Sequence, residues 1–286
     1  MSKKLTISNF QDLQVNFAGE LYYDNSAEHQ AQKLIYSTDA SVYQEKPIAV
    51  AVPKNTSDIQ ILIRFANEHQ VTLIPRSAGT SLAGQVVGKG IIVDISKYLN
   101  QVLEVNVEER WVRVQPGVIR DDLNAYLKPY GLLFGPETST SSRAMIGGMI
   151  GNNSCGLHSI VWGDTRTHLL EAKVLLSDGS EAEFKSLDRQ SFYEKARLAT
   201  LEGHIYREVH RALNNPFIQE SIEKAFPNKN LTRRNTGYAL DMLSDNEIFQ
   251  PQSTKPFNFC RLLAGSEGTL AFVTEAKINL LPLPPT

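Results

Sequence analysis

Residues 74–84 place small side chains, hydroxyls and one arginine in a single short stretch, Ile-Pro-Arg-Ser-Ala-Gly-Thr-Ser-Leu-Ala-Gly. The stretch lies between two β-like runs, Thr72–Ile74 and Ile91–Ile95. Such a loop can turn several backbone N–H groups toward an anion, since glycine has no Cβ to block the approach. It predicts a pyrophosphate site, although no Walker lysine and no GxGxxG fingerprint is present. Taken alone, an ordinary Gly/Ser connection explains the loop equally well.

Two further segments are dense in glycine. Residues 145–156 read Met-Ile-Gly-Gly-Met-Ile-Gly-Asn-Asn-Ser-Cys-Gly, with Gly135–Thr140 shortly before them, and residues 264–269 read Ala-Gly-Ser-Glu-Gly-Thr. Ten of the 18 glycines fall within residues 76–90, 145–156 and 265–268. This clustering favours three parts of one ligand site over glycines that merely mark turns.

These motifs resemble the flavin-binding domain of the vanillyl-alcohol oxidase / p-cresol methylhydroxylase superfamily. Within it they are most similar to the branch of FAD-linked oxidases that contains the D-lactate dehydrogenases, the flavin-binding component of glycolate oxidase, and D-2-hydroxyglutarate dehydrogenase. The resemblance covers roughly residues 45–180 and 258–285. It implies an α+β fold of the PCMH type, with two lobes and the FAD lying between them.

The resemblance also implies which residues bind the cofactor. The loop after Arg76 would hold the FAD pyrophosphate, and the other two glycine segments would line the rest of the molecule. The implied cofactor-binding residues are Arg76, Ser77, Ala78, Gly79, Thr80, Ser81, Gly84, Pro136, Glu137, Thr138, Ser139, Gly147, Gly148, Gly151, Asn152, Asn153, Cys155, Gly156, Trp162, Gly265, Glu267, Gly268 and Ile278.

Several of these residues carry a competing structural interpretation. Arg76 could instead form a surface ion pair or pack at a strand end, and the glycines could serve close helix packing. Asn153 could simply tolerate a left-handed backbone. Trp162 is expected against the cofactor, and Ile278 beside the adenine. Cys155 is expected to be a small packing residue, because the sequence shows no basic neighbour or CxxC partner for a redox thiol.

Thr80 is a departure from the family pattern. Covalent members of the superfamily carry a histidine at this position, joined to the isoalloxazine ring. Threonine cannot form that bond, so the sequence predicts FAD that is bound non-covalently.

The implied reaction is hydride transfer from a D-2-hydroxy acid to FAD, which makes the enzyme an oxidoreductase acting on CH–OH donors. No catalytic residue is assigned, and no metal site is predicted. His158 and His168 are candidate bases, and Arg233 or Arg234 could hold a substrate carboxylate, but ordinary structural roles compete for all four. Two alternatives remain open: another reaction on the same fold, such as UDP-N-acetylenolpyruvoylglucosamine reduction or alditol or lactone oxidation, or a non-catalytic scaffold.

Composition excludes several other classes of protein. The net charge is −2 over 286 residues, so no basic field points to nucleic acid. The two cysteines give no disulfide framework, and no apolar run is long enough for a signal peptide or a membrane span. We expect a cytoplasmic protein, with contact at the inner membrane surface an open alternative for a longer enzyme.

The expected organisation is a leader over residues 1–44, a first FAD-binding lobe over 45–100, and a second lobe over 101–286. The second lobe would carry a helical insertion at about 183–256. The Pro-rich stretch 280–286 is typical of a domain boundary. By resemblance, a substrate-capping domain with the catalytic base would follow it, together with a fused or separate iron–sulfur module. The chain alone is then expected to be inactive.

Local patterns predict the elements themselves. Strands are expected at Ile48–Val52, Thr72–Ile74, Ile91–Ile95, Val102–Val107, Trp111–Val114, Ala172–Leu176 and Ala271–Ile278. Helices are expected near Asn9–Phe17, after an N-cap at Ser57, and over Val118–Leu127.

Overall fold

The computed structural model describes residues 5–226, 231, 233–235 and 237–284. The first lobe is built around a four-stranded sheet with helices beside it. Its elements are α1 (Ile7–Asn16), β1 (Glu20–Tyr22), α2 (Ala27–Ile35), β2 (Ala49–Val52), α3 (Thr56–His69), β3 (Leu73–Arg76) and β4 (Ile91–Asp94). The strand order is β1-β2-β4-β3, in which β1 is antiparallel to β2 and the other pairs are parallel.

The two central strands β2 and β4 are buried on both faces. Their sequences, Ala-Val-Ala-Val and Ile-Ile-Val-Asp, are apolar except for the final Asp94, as expected for parallel strands covered on both sides. Ile59 and Leu62 of α3 belong to the core cluster on one face, together with Phe10 of α1. The segment expected to be a leader therefore supplies both a helix of this core and the edge strand β1.

The helix α3 begins two residues earlier than the sequence indicated. Asn55, not Ser57, is the N-cap, and its side chain accepts a hydrogen bond from the N–H of Asp58 at 2.9 Å. Ser57 lies inside the first turn. Asparagine and serine cap helices about equally well, so the residue type alone does not show which of Asn55 and Ser57 is the N-cap.

The loop between β3 and β4 is placed by the sheet topology. Because β3 and β4 are parallel neighbours, the chain leaves the carboxyl end of β3 at Arg76 and must return to the amino end of β4 at Ile91. Ligands of open sheets with parallel strands bind near such carboxyl ends. The glycine-rich loop therefore starts at a natural ligand-binding edge.

The second lobe is built around a five-stranded antiparallel sheet of order β5-β6-β10-β8-β9. Its strands are β5 (Val102–Asn106), β6 (Trp111–Val114), β8 (Leu169–Leu175), β9 (Glu181–Phe184) and β10 (Phe272–Asn279), and a small separate sheet pairs β7 (Leu132–Leu133) with β11 (Leu281–Pro282). Its helices are α4 (Arg120–Leu127), a 3₁₀ turn (Lys128–Tyr130), α5 (Ile146–Asn152), α6 (Ser159–Trp162), α7 (Thr165–His168), α8 (Arg189–Ala196), α9 (Leu201–Leu213), α10 (Pro216–Ala225), α11 (Leu240–Ser244) and α12 (Cys260–Leu263).

An aromatic cluster joins the helices of residues 189–244 to the rest of the second lobe. Phe192 of α8 packs edge to face on Phe257 at 4.8 Å and on Tyr206 of α9 at 5.3 Å. All three side chains are almost fully buried within the main core. Edge-to-face pairs of this kind add to the stabilisation from burial. Among the described residues, no helix is long and apolar enough to cross a lipid bilayer.

Ile278 offers a test of this packing. It lies on the core-facing side of β10 and is completely buried. Ile278→Ala should lower the free energy of unfolding by about 2–5 kcal/mol, because methyl groups are lost and a cavity remains. Leu157→Ala is the control, since Leu157 is 83% exposed, and it should change stability by less than about 0.5 kcal/mol. Urea unfolding of both variants measures this, and equal stabilities would contradict the placement of Ile278.

Candidate functional site

A cavity of about 790 Å³ lies between the two lobes. The loop after β3 forms one wall, and α5 with the residues that follow it forms the opposite wall. The segment 266–268 and the start of β10 close a third side. The size is within the range of small-molecule and cofactor sites.

The loop after β3 contributes backbone groups without a hydrogen-bond partner among the described residues to the lining of this cavity. Within the described residues, no hydrogen bond uses the N–H groups of Ala78, Gly79 and Thr80. Gly79 has a left-handed backbone with φ +65°, the conformation that lets successive N–H groups converge. Unpaired N–H groups are rare unless water or a ligand accepts from them. The loop therefore fits an anion such as a phosphate.

The side chain of Arg76 supports this loop from beneath. Its Nη1 donates to the carbonyl oxygen of Thr38 at 2.8 Å, and its guanidinium lies 5.2 Å from the centre of the Tyr36 ring. A Cβ on Gly79 would come within 2.5 Å of Nη2, so only glycine leaves room for the guanidinium. Of the two structural interpretations of Arg76, strand-end packing describes its contacts, and no ion pair to it occurs among the described residues.

Charged and phenolic groups beneath the loop are strongly desolvated. The Tyr36 hydroxyl donates to the Asp94 carboxylate, and burial together with that carboxylate raises the pKa of Tyr36. Burial lowers the pKa of Arg76, while the nearby phenol of Tyr36 and the carboxylates of Asp94 and Asp39 oppose that change. The guanidinium remains the cation that balances these carboxylates.

The three glycine segments meet at very short distances. A Cβ on Gly148 of α5 would lie 2.3 Å from Ser77 Oγ, and a Cβ on Gly268 would lie 3.3 Å from Pro75. The third segment is hydrogen-bonded to the second, because the N–H of Glu267 donates to the Gly151 oxygen at 2.9 Å. The glycines therefore let three stretches of backbone approach one another around the cavity.

The cavity lining contains predicted residues from all three segments. They are Arg76, Ser77, Ala78, Gly79, Thr80, Ser81, Thr138, Ser139, Gly147, Gly148, Gly151, Asn152, Cys155, Glu267 and Gly268. The other predicted residues do not line it, although the structure describes them. They are Gly84, Pro136, Glu137, Asn153, Gly156, Trp162, Gly265 and Ile278.

Asn153 and Ile278 are buried, do not line the cavity and make structural contacts. Asn153 ends α5 with φ 49°, and its side chain donates to Asp164 at 3.0 Å and accepts from the N–H of Arg166 at 2.8 Å. Its left-handed backbone is the alternative that the sequence had left open. Ile278 belongs to the core, because alternate residues of β10 face inward and it is one of them.

Three predicted glycines that do not line the cavity are packed closely against neighbouring side chains. A Cβ on Gly84 would touch the Tyr43 ring at 2.7 Å, and one on Gly156 would lie 2.1 Å from Glu137 Cγ. At Gly265, where φ is +89°, a Cβ would lie 2.6 Å from a guanidinium nitrogen of Arg166. These glycines shape the walls from behind the cavity surface.

Pro136, Glu137 and Trp162 are likewise held by neighbouring protein groups. The Pro136 oxygen accepts from Arg120 Nε at 3.1 Å, and the Trp162 ring lies 4.7 Å from that of His158. Burial favours a higher pKa for Glu137, but hydrogen bonds from the backbone and ring of His158 outweigh it and lower the pKa.

The catalytic candidates also have protein partners. Both ring nitrogens of buried His168 lie within 2.8 Å of backbone oxygens, those of Asn279 and Trp162. Arg234 forms an ion pair with Asp241 at 2.6 Å. These contacts fit structural roles for both.

Cys155 has a basic neighbour that its sequence context did not indicate. Its sulfur accepts from Arg233 Nε at 3.1 Å and donates to Asn235 Oδ1 at 3.3 Å. The neighbour comes from a segment some 80 positions later in the chain, so only the fold could reveal it.

Sequence reasoning missed one wall of the cavity. Thr38, Asp39 and Ala40 line it, although they lie in the expected leader. The N–H of Ala40 donates to the Gly79 oxygen at 3.1 Å, which fastens this segment to the loop. Gln85 also lines the cavity. No repeated or glycine-rich pattern marks these residues in the sequence.

Comparison with known proteins identifies the cavity-bearing region. Residues 47–185 match the model of a family described as FAD binding domain. This region belongs to that FAD-binding family. The chain is 40% identical over 263 residues to the D-2-hydroxyglutarate dehydrogenase of Pantoea ananatis, covering 91% of this chain and 25% of that protein. It is 30% identical over 265 residues to glycolate oxidase subunit GlcD of Bacillus subtilis, covering 92% of this chain and 43% of the relative.

Solved structures confirm the expected fold of the FAD-binding domain. An alkyldihydroxyacetonephosphate synthase superposes with a TM-score of 0.64 at 16% identity, covering 99% of this chain and 42% of that one. The 6-hydroxy-D-nicotine oxidase of Arthrobacter nicotinovorans gives a TM-score of 0.60 at 14% identity, covering 98% and 44%. The chain spans about a quarter of the length of the D-2-hydroxyglutarate dehydrogenase that it matches. FAD is the cofactor of the domain.

Gly79 permits a matched test of the loop. Gly79→Ala should weaken FAD binding, because the new methyl group displaces the Arg76 guanidinium. Gly131→Ala is the control, since Gly131 has a similar φ of +68° but nothing within 4 Å of its Cβ position. Both variants should lose about 1–3 kcal/mol of stability from backbone strain.

Flavin-fluorescence titrations and urea unfolding separate the two effects. Only Gly79→Ala should lose affinity for FAD. Equal FAD affinity in both variants would contradict the assignment of this loop to the cofactor.

Proposed function

We propose that this chain is the FAD-binding part of a flavin-dependent dehydrogenase that transfers a hydride from a D-2-hydroxy acid to FAD. The observation that carries the proposal is the cavity between the lobes, which is lined by three glycine segments, two of them within the matched region 47–185. The substrate class is inferred from the relatives, four of which share 38–40% identity with the chain and are D-2-hydroxyglutarate dehydrogenases.

The residues of the cavity fit the two chemically different parts of FAD. The free N–H groups of Ala78, Gly79 and Thr80 suit the pyrophosphate, because charge-assisted hydrogen bonds to phosphate are strong. The backbone of α5, with Gly147, Gly148 and Gly151 on the cavity, suits a flat ring that needs close approach.

Thr138 and Ser139 line the same cavity, and their hydroxyls can hydrogen bond a polar ring edge. Bound FAD would supply the hydride acceptor, and the protein would orient it and exclude water. Ser77 of the loop after β3 packs directly against Gly148 of α5. This contact sets the separation of the two cavity walls and so positions a ligand held between them. We further propose that D-2-hydroxyglutarate is the substrate and that the enzyme works in the cytoplasm.

We predict that no covalent bond joins the protein to FAD. Thr80 lines the cavity, and threonine lacks the imidazole nitrogen through which a histidine would be joined to the isoalloxazine ring. Acid precipitation of the FAD-loaded chain should therefore leave all flavin absorbance in the supernatant. Flavin retained in the washed pellet would contradict non-covalent binding.

The reaction is tested on the native enzyme that contains this sequence, purified from its source. Under anaerobic conditions D-2-hydroxyglutarate should remove the visible absorbance of the bound flavin, and the L-enantiomer should not. D-lactate and glycolate, tested in parallel, define the width of the substrate class. A flavin that dithionite reduces but that none of these acids reduces would contradict the proposed reaction while leaving FAD binding intact.

A further inference from the structure

Two buried oxygen atoms of the cavity wall have no hydrogen-bond partner among the described residues. They are Oδ2 of Asp39 and Oε1 of Gln85. Both residues line the cavity, Asp39 in the Thr38–Ala40 segment and Gln85 in the loop between β3 and β4. An unpaired buried acceptor costs stability, so such atoms in a cavity wall indicate a ligand that donates to them.

The Asp39 carboxylate is held in one orientation. Its other oxygen, Oδ1, accepts from the N–H of Ser41 at 2.8 Å. The residues on either side are also fixed, because the Thr38 oxygen accepts from Arg76 and the Ala40 N–H donates to Gly79. These hydrogen bonds hold the Asp39 backbone, and therefore Oδ2, in a fixed position.

The chemistry of a carboxylate limits what can bind there. An ionised carboxylate accepts hydrogen bonds and donates none. It repels a phosphate, so the pyrophosphate of FAD is not its partner. The donors of FAD beside its phosphates are hydroxyl groups, those of the ribityl chain on one side and those of the adenosine ribose on the other.

Resting on the proposed function, we propose that Asp39 accepts, through Oδ2, a hydrogen bond from a sugar-chain hydroxyl of bound FAD. The guanidinium of Arg76 lies near this carboxylate, because its Nη1 donates to the oxygen of the preceding residue, Thr38, at 2.8 Å. A cation in this position weakens the repulsion between the carboxylate and the phosphates of a ligand on the loop.

The variant Asp39→Asn tests the hydrogen bond at constant shape. The asparagine oxygen can still accept from Ser41, which places an NH₂ donor where Oδ2 stood. FAD binding should weaken about tenfold to hundredfold, the range for a hydrogen bond to a charged group. If only the charge of Asp39 mattered, the variant should bind FAD more tightly, because a negative charge near the phosphates has been removed.

Glu45→Gln is the matched control. It removes the same charge from the same segment, but Glu45 is 42% exposed and its ion pair to Lys89 is long, at 3.8 Å. It should leave FAD affinity unchanged within about twofold, as expected for a weak surface pair. Urea unfolding of the chains without FAD shows whether either substitution disturbs the fold.

Titrations with FMN and ADP identify which hydroxyls are involved. Weaker binding of FAD and FMN, with ADP unchanged, assigns the contact to the ribityl chain. Weaker binding of FAD and ADP, with FMN unchanged, assigns it to the ribose. An equal loss of affinity for FAD, FMN and ADP would show that Asp39 affects only the phosphate-binding loop and does not contact a sugar hydroxyl. That result would overturn the inference.

Unchanged or tighter FAD binding by Asp39→Asn would also overturn it. A wild-type chain that binds no FAD would instead contradict the proposed function, so the two failures are distinguishable.

Discussion

A buried guanidinium holds the second wall of the cavity in place. Arg166 is 1% exposed, and its side chain donates to the Ala264 oxygen at 2.7 Å and the Gly237 oxygen at 3.0 Å. Its own N–H donates to Asn153 at the end of α5. Burial lowers the pKa of Arg166, so these carbonyl contacts are what make the desolvated cation tolerable. Arg166 thus joins the end of α5, through its backbone N–H, to Ala264, through its side chain.

The core elements were predictable because their signals are local. The runs at 49–52, 91–94 and 111–114 are rich in apolar and β-branched residues, and each forms a strand within a residue or two of the expected bounds. The small edge strand β1 was missed, because Glu20–Tyr22 has one buried residue and becomes a strand only by pairing with β2. Edge strands depend on tertiary context more than on their own composition.

Some residues of the candidate site could also be predicted from the sequence, and others could not. The glycine segments could be found in the sequence because close backbone approach leaves no substitute for glycine, as at Gly148 against Ser77. Arg166 and the neighbour of Cys155 could not be found, since each acts through a partner far away in the chain. Asp39 could not be found either, because only the contact of Ala40 with Gly79 brings its segment to the cavity. The fold does not decide the reaction, because structures of a synthase and an oxidase share it. The glycine-lined cavity therefore supports FAD binding, and the chemistry performed on bound FAD rests on the more similar relatives.

A crystal structure of the chain with bound FAD would show which groups hold the cofactor. We expect the pyrophosphate to lie against the N–H groups of residues 78–80 and the flavin ring against α5 and residues 266–268. We also expect Arg76 to keep its hydrogen bond to Thr38 and to make no contact with phosphate. FAD bound outside the cavity between the lobes, or phosphates held by side chains with the loop N–H groups unused, would contradict these expectations.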